Sequence, residues 1–305
     1  MKHNSSRITK LFFVLLLLIS YSSTSYARYI SHNKKNNFYN SFSIGGSLGY
    51  ANIFEDYNHF TTTGSLGATL IFGYEFRLND FWLYTGIEGQ YLSANAFSNI
   101  DGTERQIIDT QGKPATMHYE FGQFIEQQHY LFANLPIMVG YYSGLSGFYV
   151  GAGAKFGLQV YALEDASLRY TTSATYSQYI DDFVGMGQHD YSAYNAYAQS
   201  KPESPIKIAA IAEIGYDVLT KQRQTLKTNH GLRIGLYVEY GLNNLVKSTT
   251  ETPLYTIQQY NASVVDIVPF YSAYSTSTHR INSLFAGVKM AYTFCVRTKN
   301  CSCDF

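Results

Sequence analysis

The chain has 305 residues, 46% of them hydrophobic and 14% charged, and its 22 basic side chains balance 22 acidic ones. That apolar content argues against wholesale disorder, and the zero net charge argues against a nucleic-acid partner, which wants a basic face. Aromatic residues are frequent, with 29 Tyr beside a single Trp.

Residues 1–27 read as a secretory signal peptide. Lys2, Arg7 and Lys10 form a positive leading region, Leu11 to Ile19 is an unbroken apolar run, and Ser25-Tyr26-Ala27 supplies the cleavage positions. The alternative, an N-terminal membrane helix, needs about 20 apolar residues, more than this run contains. Arg28 then begins the mature chain, residues 28–41 form a short periplasmic segment, and no later segment is apolar enough for a spanning helix. No cysteine near the cleavage site supports a lipoprotein anchor.

From Phe42 onward the chain alternates apolar and polar residues, the period of a β-strand with two unlike faces. Strands are predicted at 42–51, 64–77, 81–93, 127–142, 148–162, 205–219, 231–243 and 282–294. In the second, Leu66, Ala68, Leu70, Phe72, Tyr74 and Phe76 fall on one side, and Ile71 is the one apolar residue on the other. Each strand reaches the about 9–11 residues that a tilted strand needs to cross a bilayer.

The connections alternate in length. Residues 78–80, 143–147 and 220–230 are short links, the last carrying Lys221, Arg223 and Lys227; residues 52–63, 94–126, 163–204 and 244–281 are long. Outer-membrane barrels have short periplasmic turns and long extracellular loops, with both termini in the periplasm. The predicted fold is therefore all-β: an eight-stranded antiparallel up-and-down transmembrane β-barrel over 42–294, followed by a cysteine-containing tail over 295–305.

Three features point the apolar face to lipid. It is sustained along whole strands, as in Leu131, Ala133, Leu135, Ile137 and Val139. Aromatics gather near strand ends: Phe42, Phe76, Phe81, Tyr141, Phe148, Tyr216, Tyr292 and Phe294 at the periplasmic rim, Tyr50, Tyr91 and Tyr240 at the outer one. The opposite face carries Glu75, Glu88, Glu213, Asp217 and Glu239 against Arg77, Lys155, Lys207, Arg233 and Lys289, amid many glycines. An eight-stranded barrel has room only for side chains inside, so these charges must pair and plug the lumen; a narrow ion path is the alternative. A soluble lipocalin-like barrel, with the apolar face inward, leaves the aromatic rims and one-sided loops unexplained.

The hairpin Leu135-Pro136-Ile137-Met138-Val139-Gly140 with Phe148-Tyr149-Val150-Gly151-Ala152-Gly153-Ala154-Lys155-Phe156-Gly157-Leu158 resembles eight-stranded outer-membrane β-barrels of the OmpA/OmpX-like type, in the form common in Gram-negative bacteria of the Bacteroidetes group. Gly287, Met290, Tyr292 and Phe294 resemble the signal such barrels show to their assembly machinery, although this chain continues to Phe305. The resemblance implies the outer membrane of a Gram-negative bacterium, and little about activity, because members of the family differ widely in role.

No catalytic, cofactor-binding or metal-ligating set is identified. The histidines of the mature chain lie in loops, at strand ends or near its start, without the spacing of a metal or hydrolase motif. A lipid-modifying enzyme would use the lipid-facing His129 and Ser93 with Glu126 nearby; the alternative is a polar pair at headgroup level. Asp181-Asp182 supplies too few ligands for Ca²⁺. Cys295, Cys301 and Cys303 allow one disulfide and one spare thiol, with no pairing indicated. Tyr170, Tyr176, Tyr179, Tyr191, Tyr194, Tyr197, Tyr255, Tyr260, Tyr271 and Tyr274 make the long loops tyrosine-rich, suited to a binding surface or to packing over the barrel mouth. The expected role is a non-enzymatic surface structural or recognition protein. Its partners would be outer-membrane lipid, the barrel assembly machinery during biogenesis, and an extracellular ligand or envelope protein, with no nucleic acid. The runner-up is a subunit of an envelope transport or secretion complex, with the basic 220–230 turn as its contact.

Overall fold

A computed structural model describes residues 38–55, 61–78, 80–108, 112–143, 147–176, 183–184, 193–201, 206–217, 228–245, 255–261, 264–269 and 281–297. The signal peptide, Cys301, Cys303, Asp181-Asp182, Tyr179, Tyr191, Tyr271, Tyr274 and the basic residues Lys221, Arg223 and Lys227 lie outside them.

The described strands are β1 (Phe38–Glu55), β2 (Thr61–Leu78), β3 (Phe81–Asn99), β4 (Thr103–Ile108), β5 (Pro114–Tyr142), β6 (Phe148–Tyr176), β7 (Phe183–Val184), β8 (Ala193–Ser200), β9 (Lys207–Asp217), β10 (Thr228–Gly241), β11 (Tyr255–Asn261), β12 (Val264–Pro269) and β13 (Ile281–Arg297). Eight of them close a ring of antiparallel neighbours, β1-β2-β3-β5-β6-β9-β10-β13, with β13 returning to β1. These are the eight predicted strands, in order. Closure leaves no edge within the ring, so each strand finds partners on both sides.

The predicted faces are also the observed ones. Leu70, Phe72 and Tyr74 of β2 are exposed, whereas Thr69, Ile71 and Glu75 are buried inside the ring. Ile71, the exception to the alternation, is a lumen residue with 4% exposure. It packs in the interior cluster with Trp82, Tyr84, Phe132, Tyr149 and Phe285.

Three connections expected as loops carry strands: 94–126 and 163–204 extend the sheet of the ring, and 244–281 holds the β11–β12 hairpin. β5 and β6 run far past the ring, and β4 and β8 flank them to make a raised sheet at the end away from the termini. Two bulges explain why alternation from the ring stops there. The β5–β6 register jumps between Phe121 and Phe124 and again between Leu131 and Phe132, and an inserted residue reverses which parity faces inward. Above the jump, Ala115, Met117 and Tyr119 are the buried residues of β5; below it they are Phe124, Glu126 and Gln128. Asn243 accepts the Ile208 N–H (2.7 Å) and donates to Ile206 O (2.6 Å), joining the ends of β9 and β10 at the rim of the ring. At the terminal end, β13 extends beyond Phe294, so Cys295 lies in the ladder opposite Ser41 and Asn229 rather than in a tail.

At that end, described residues beside the short links tie neighbouring strand ends together. Gly147 has φ +80°, a left-handed conformation that glycine adopts freely, and its carbonyl accepts the Asp217 N–H at 2.8 Å. Gly140 and Gly151 form the floor beneath the Trp82 ring: a Cβ on Gly140 would lie 2.2 Å from Trp82 and 2.3 Å from the Val150 carbonyl. We predict that Gly140→Leu abolishes the compact, heat-modifiable band on gels after refolding into detergent. Gly89→Ala, where a Cβ meets nothing within 4 Å, refolds like the parent.

Candidate functional site

The outer wall of the ring is a belt of bare apolar side chains. Leu70 is 77% exposed, Ile87 68% and Leu48 63%, with Leu135, Val139, Leu158, Leu236 and Val288 also uncovered. Soluble monomers rarely present so large a contiguous apolar surface. Along β3 the belt runs from Phe81 to Tyr91, about 33 Å of strand, which gives about 25 Å of height at a tilt near 40°. Aromatic pairs mark its terminal rim: Phe42 with Tyr74 (5.3 Å between ring centres), Phe81 with Tyr141 (5.6 Å) and Tyr292 with Phe294 (4.7 Å). At the far rim, Tyr240 meets Phe54 (6.1 Å), and the Tyr50 hydroxyl accepts the Gly64 N–H (3.0 Å).

Inside, all ten predicted charges face the lumen. Glu75, Glu88, Glu213, Asp217, Glu239, Lys155, Lys207, Arg233 and Lys289 are buried, and Arg77 is partly so at the terminal mouth. They assemble in tiers. At the mouth, Glu75 receives Arg77 (3.0 Å) and Arg233 (2.8 Å), and the Arg77 guanidinium lies 3.5 Å over the Tyr142 ring. Next, Lys289 pairs with Glu213 (2.7 Å), which also accepts the Tyr149 hydroxyl (2.5 Å). Deepest, Lys155 bridges Glu88 (2.6 Å) and Glu239 (2.7 Å), and Lys207 holds the other oxygen of Glu239. Gln90 ties this tier together, donating to Glu239 (2.9 Å) and accepting from Lys207 (2.7 Å) and Asn134 (3.0 Å). Shared, charge-assisted bonds of this kind offset the cost of removing each ion from water. Gln90, Asn134, Tyr149 and Trp82 were not singled out in the sequence, although they share the parity of the charges and were legible by that rule.

The raised sheet carries the remaining polar chemistry. Its inner side is a second apolar cluster around Met117, Tyr119, Phe124, Leu168, Tyr170 and Tyr176. Two of the loop tyrosines, Tyr170 and Tyr176, are thus core residues, while Tyr197 on β8 is 74% exposed on the outer side. Also on the outer side, His118 spans Glu104 (3.0 Å) and Thr175 (2.7 Å), stitching β4, β5 and β6. Of the three residues considered for lipid chemistry, Ser93 and His129 are register partners on one face, where the Tyr91 hydroxyl contacts His129 Nδ1 (2.7 Å). Glu126 is buried on the opposite face and accepts from Gln128 (2.6 Å), so the three do not converge. Among the described residues, no group of three or more His, Cys, Asp or Glu side chains is placed to hold a metal.

No family model matches the sequence, and no curated protein is significantly similar to it. Among solved structures, the chain is similar to Neisserial surface protein A (NspA), with 10% identity over 84% of this chain and 97% of that one and a TM-score of 0.29. It is similar to Ail, the attachment invasion locus protein of Yersinia pestis, with 9% identity over 84% of this chain and 99% of that one and a TM-score of 0.26. The P. putida toluene transporter TodX gives 7% identity, 88% and 91% coverage and a TM-score of 0.14. Superpositions this loose add no weight to any functional reading, and the architecture rests on the strand register itself.

Removing one partner from the deepest tier strands buried charge. Lys155→Met is expected to cost about 3–5 kcal/mol, read as a lowered urea midpoint for unfolding from detergent micelles. Adding Glu88→Leu should restore part of that loss, because it removes one carboxylate left without its lysine.

Proposed function

We propose that this chain is a barrel of the Gram-negative outer membrane, closed to ion flow, that displays the raised sheet on the cell surface as a non-enzymatic recognition structure. The observation that carries the reading is the inverted surface: exposed aliphatic side chains around the ring and buried ion pairs within it. Water rewards the opposite arrangement, and hydrocarbon rewards this one. The belt height agrees with the about 25 Å apolar band of outer-membrane barrels, and short links at the terminal end agree with periplasmic turns. The raised sheet then faces outward, and both chain ends face the periplasm.

The tiers support closure of the lumen. Tyr149, Phe132, Lys155, Lys207 and Phe285 are fully buried side chains in the cross-section where a channel would run. The surface role is supported by the distribution of polar groups. Within the ring they are consumed in ion pairs, whereas the raised sheet presents open side chains on a framework of paired strands. Such a rigid, displayed surface suits binding better than an unstructured loop, because less freedom is lost on contact.

Trypsin treatment of whole cells tests the orientation. Cleavage is expected near Lys113 and Lys201 at the raised end, with Lys221, Arg223 and Lys227 spared until the outer membrane is permeabilised; the reverse pattern overturns it. In planar bilayers, the purified chain should give no steady conductance step. A stable open level would show that the tiers leave a path.

A further inference from the structure

Resting on the outward orientation of the raised sheet, we propose that its outer face is a saccharide-binding platform centred on Tyr197. Its occupant is the sugar head group of the glycolipid that surrounds the barrel in the outer leaflet.

The outer face of the raised sheet is continuous with the lipid-facing wall. Successive rows of the register show the change of solvent. Tyr91, Leu131 and Tyr161 lie side by side, then Ser93, His129 and Leu163, then Asn95, Gln127 and Asp165. The apolar belt therefore ends at the Tyr161 row. Tyr197 lies opposite Ser167, three rows higher on β6. Six residues of strand span about 20 Å, or about 15 Å of height at a tilt near 40°. The headgroup zone on each side of the hydrocarbon is only about 5–8 Å deep. Tyr197 stands above it and does not serve as an interfacial anchor of the kind formed by Tyr161 or Tyr91. In a glycolipid leaflet, that height is occupied by sugar.

The side chains around the ring have the matching chemistry. Tyr197 is 74% exposed, a large ring left uncovered among polar neighbours. Asn195 and Gln199 flank it on the same strand, and Arg169 and Asp165 lie diagonally across on β6. Gln199 donates to Asp165 at 2.7 Å, which fixes one amide beside the ring. Amides, a carboxylate and a guanidinium offer donors and acceptors in forks that neighbouring sugar hydroxyls match. A tyrosine ring packs against the C–H face of a pyranose at little entropic cost. Phe97 and Ile125, the apolar members of the same row, are half-buried, so the exposed patch is one ring within polar groups rather than the apolar centre of a protein interface.

The test titrates the full chain in detergent with the lipid-free oligosaccharide that mild acid releases from the outer-leaflet glycolipid, reading contact by saturation-transfer NMR. The sugar C–H protons should be saturated by the protein. Binding should weaken about tenfold in Tyr197→Ala and persist in Tyr197→Phe, with heat-modifiable mobility verifying the fold of each variant. Equal binding by Tyr197→Ala, or no binding of the oligosaccharide to the parent chain, overturns the proposal. Binding of an unrelated glycan or a protein through Tyr197, without the oligosaccharide, overturns the assigned occupant while surface recognition stands. Loss of trypsin access to the raised sheet on intact cells removes that underlying reading instead.

Discussion

The pairing of β1 with β13, from Tyr39 opposite Arg297 to Glu55 opposite Ile281, is the contact on which the rest of the structure depends. Without it the same strands form an open sheet with two bare edges. In hydrocarbon each unpaired N–H and C=O costs several kcal/mol, so an open sheet has no stable place there. Closure also creates an inside. Only because the sheet meets itself do the polar faces of eight strands point at one another, and only then does Gln90 on β3 reach hydrogen-bonding distance of Glu239 on β10, on the opposite side of the ring.

That interior inverts the usual order of a protein core. Burying an ion pair costs nearly as much desolvation as it recovers in attraction, and a well-packed apolar core is often as stable. A barrel whose outside must be apolar gains something else from a polar inside. Each strand then carries one unmistakable code for which face is which, and a one-residue slip in register would press glutamate and lysine into lipid. The tiers add a constraint on stoichiometry: Glu239 serves two lysines and Glu75 two arginines, so the network tolerates little rearrangement. The aromatic rings beneath the cations, as with Lys289 over Tyr84 and Arg233 over Tyr149, fill the space that Gly73, Gly215 and Gly235 leave.

Alternation made the ring legible because period two is a direct consequence of strand geometry. Ile71 illustrates both the strength and the limit of that signal: its parity placed it inside, while its side chain alone placed it outside. The charges were legible for the same reason. What stayed hidden was whatever broke the period. The jump around Phe121–Phe124 reverses parity within β5, and the one at Leu131–Phe132 reverses it within β6, so the alternation of Ala115, Met117 and Tyr119 is out of phase with the ring and reads as loop. Cross-strand partners were hidden too. Nothing in the sequence places Trp82 over Gly140 and Gly151, because that contact is decided by a register that only the closed sheet defines. The exposed Tyr197 and the buried Tyr170 differ by the side of the sheet each occupies, and composition treats them alike.

Chain connectivity also orders these contacts in time. The β5–β6 hairpin joins Tyr142 to Tyr149 across a link that includes Gly147 at positive φ, so it can grow rung by rung from its turn. The seam between β1 and β13 joins residues from opposite ends of the chain and must await the last strand to be made. Closing a longer loop costs more entropy, and contacts between distant residues form later than local ones. The raised end of that hairpin, where Ala115 meets Tyr176, is its rung farthest from the turn. The seam that makes the barrel a barrel is its final step, and until then β1 carries an unmatched edge through whatever compartment it crosses.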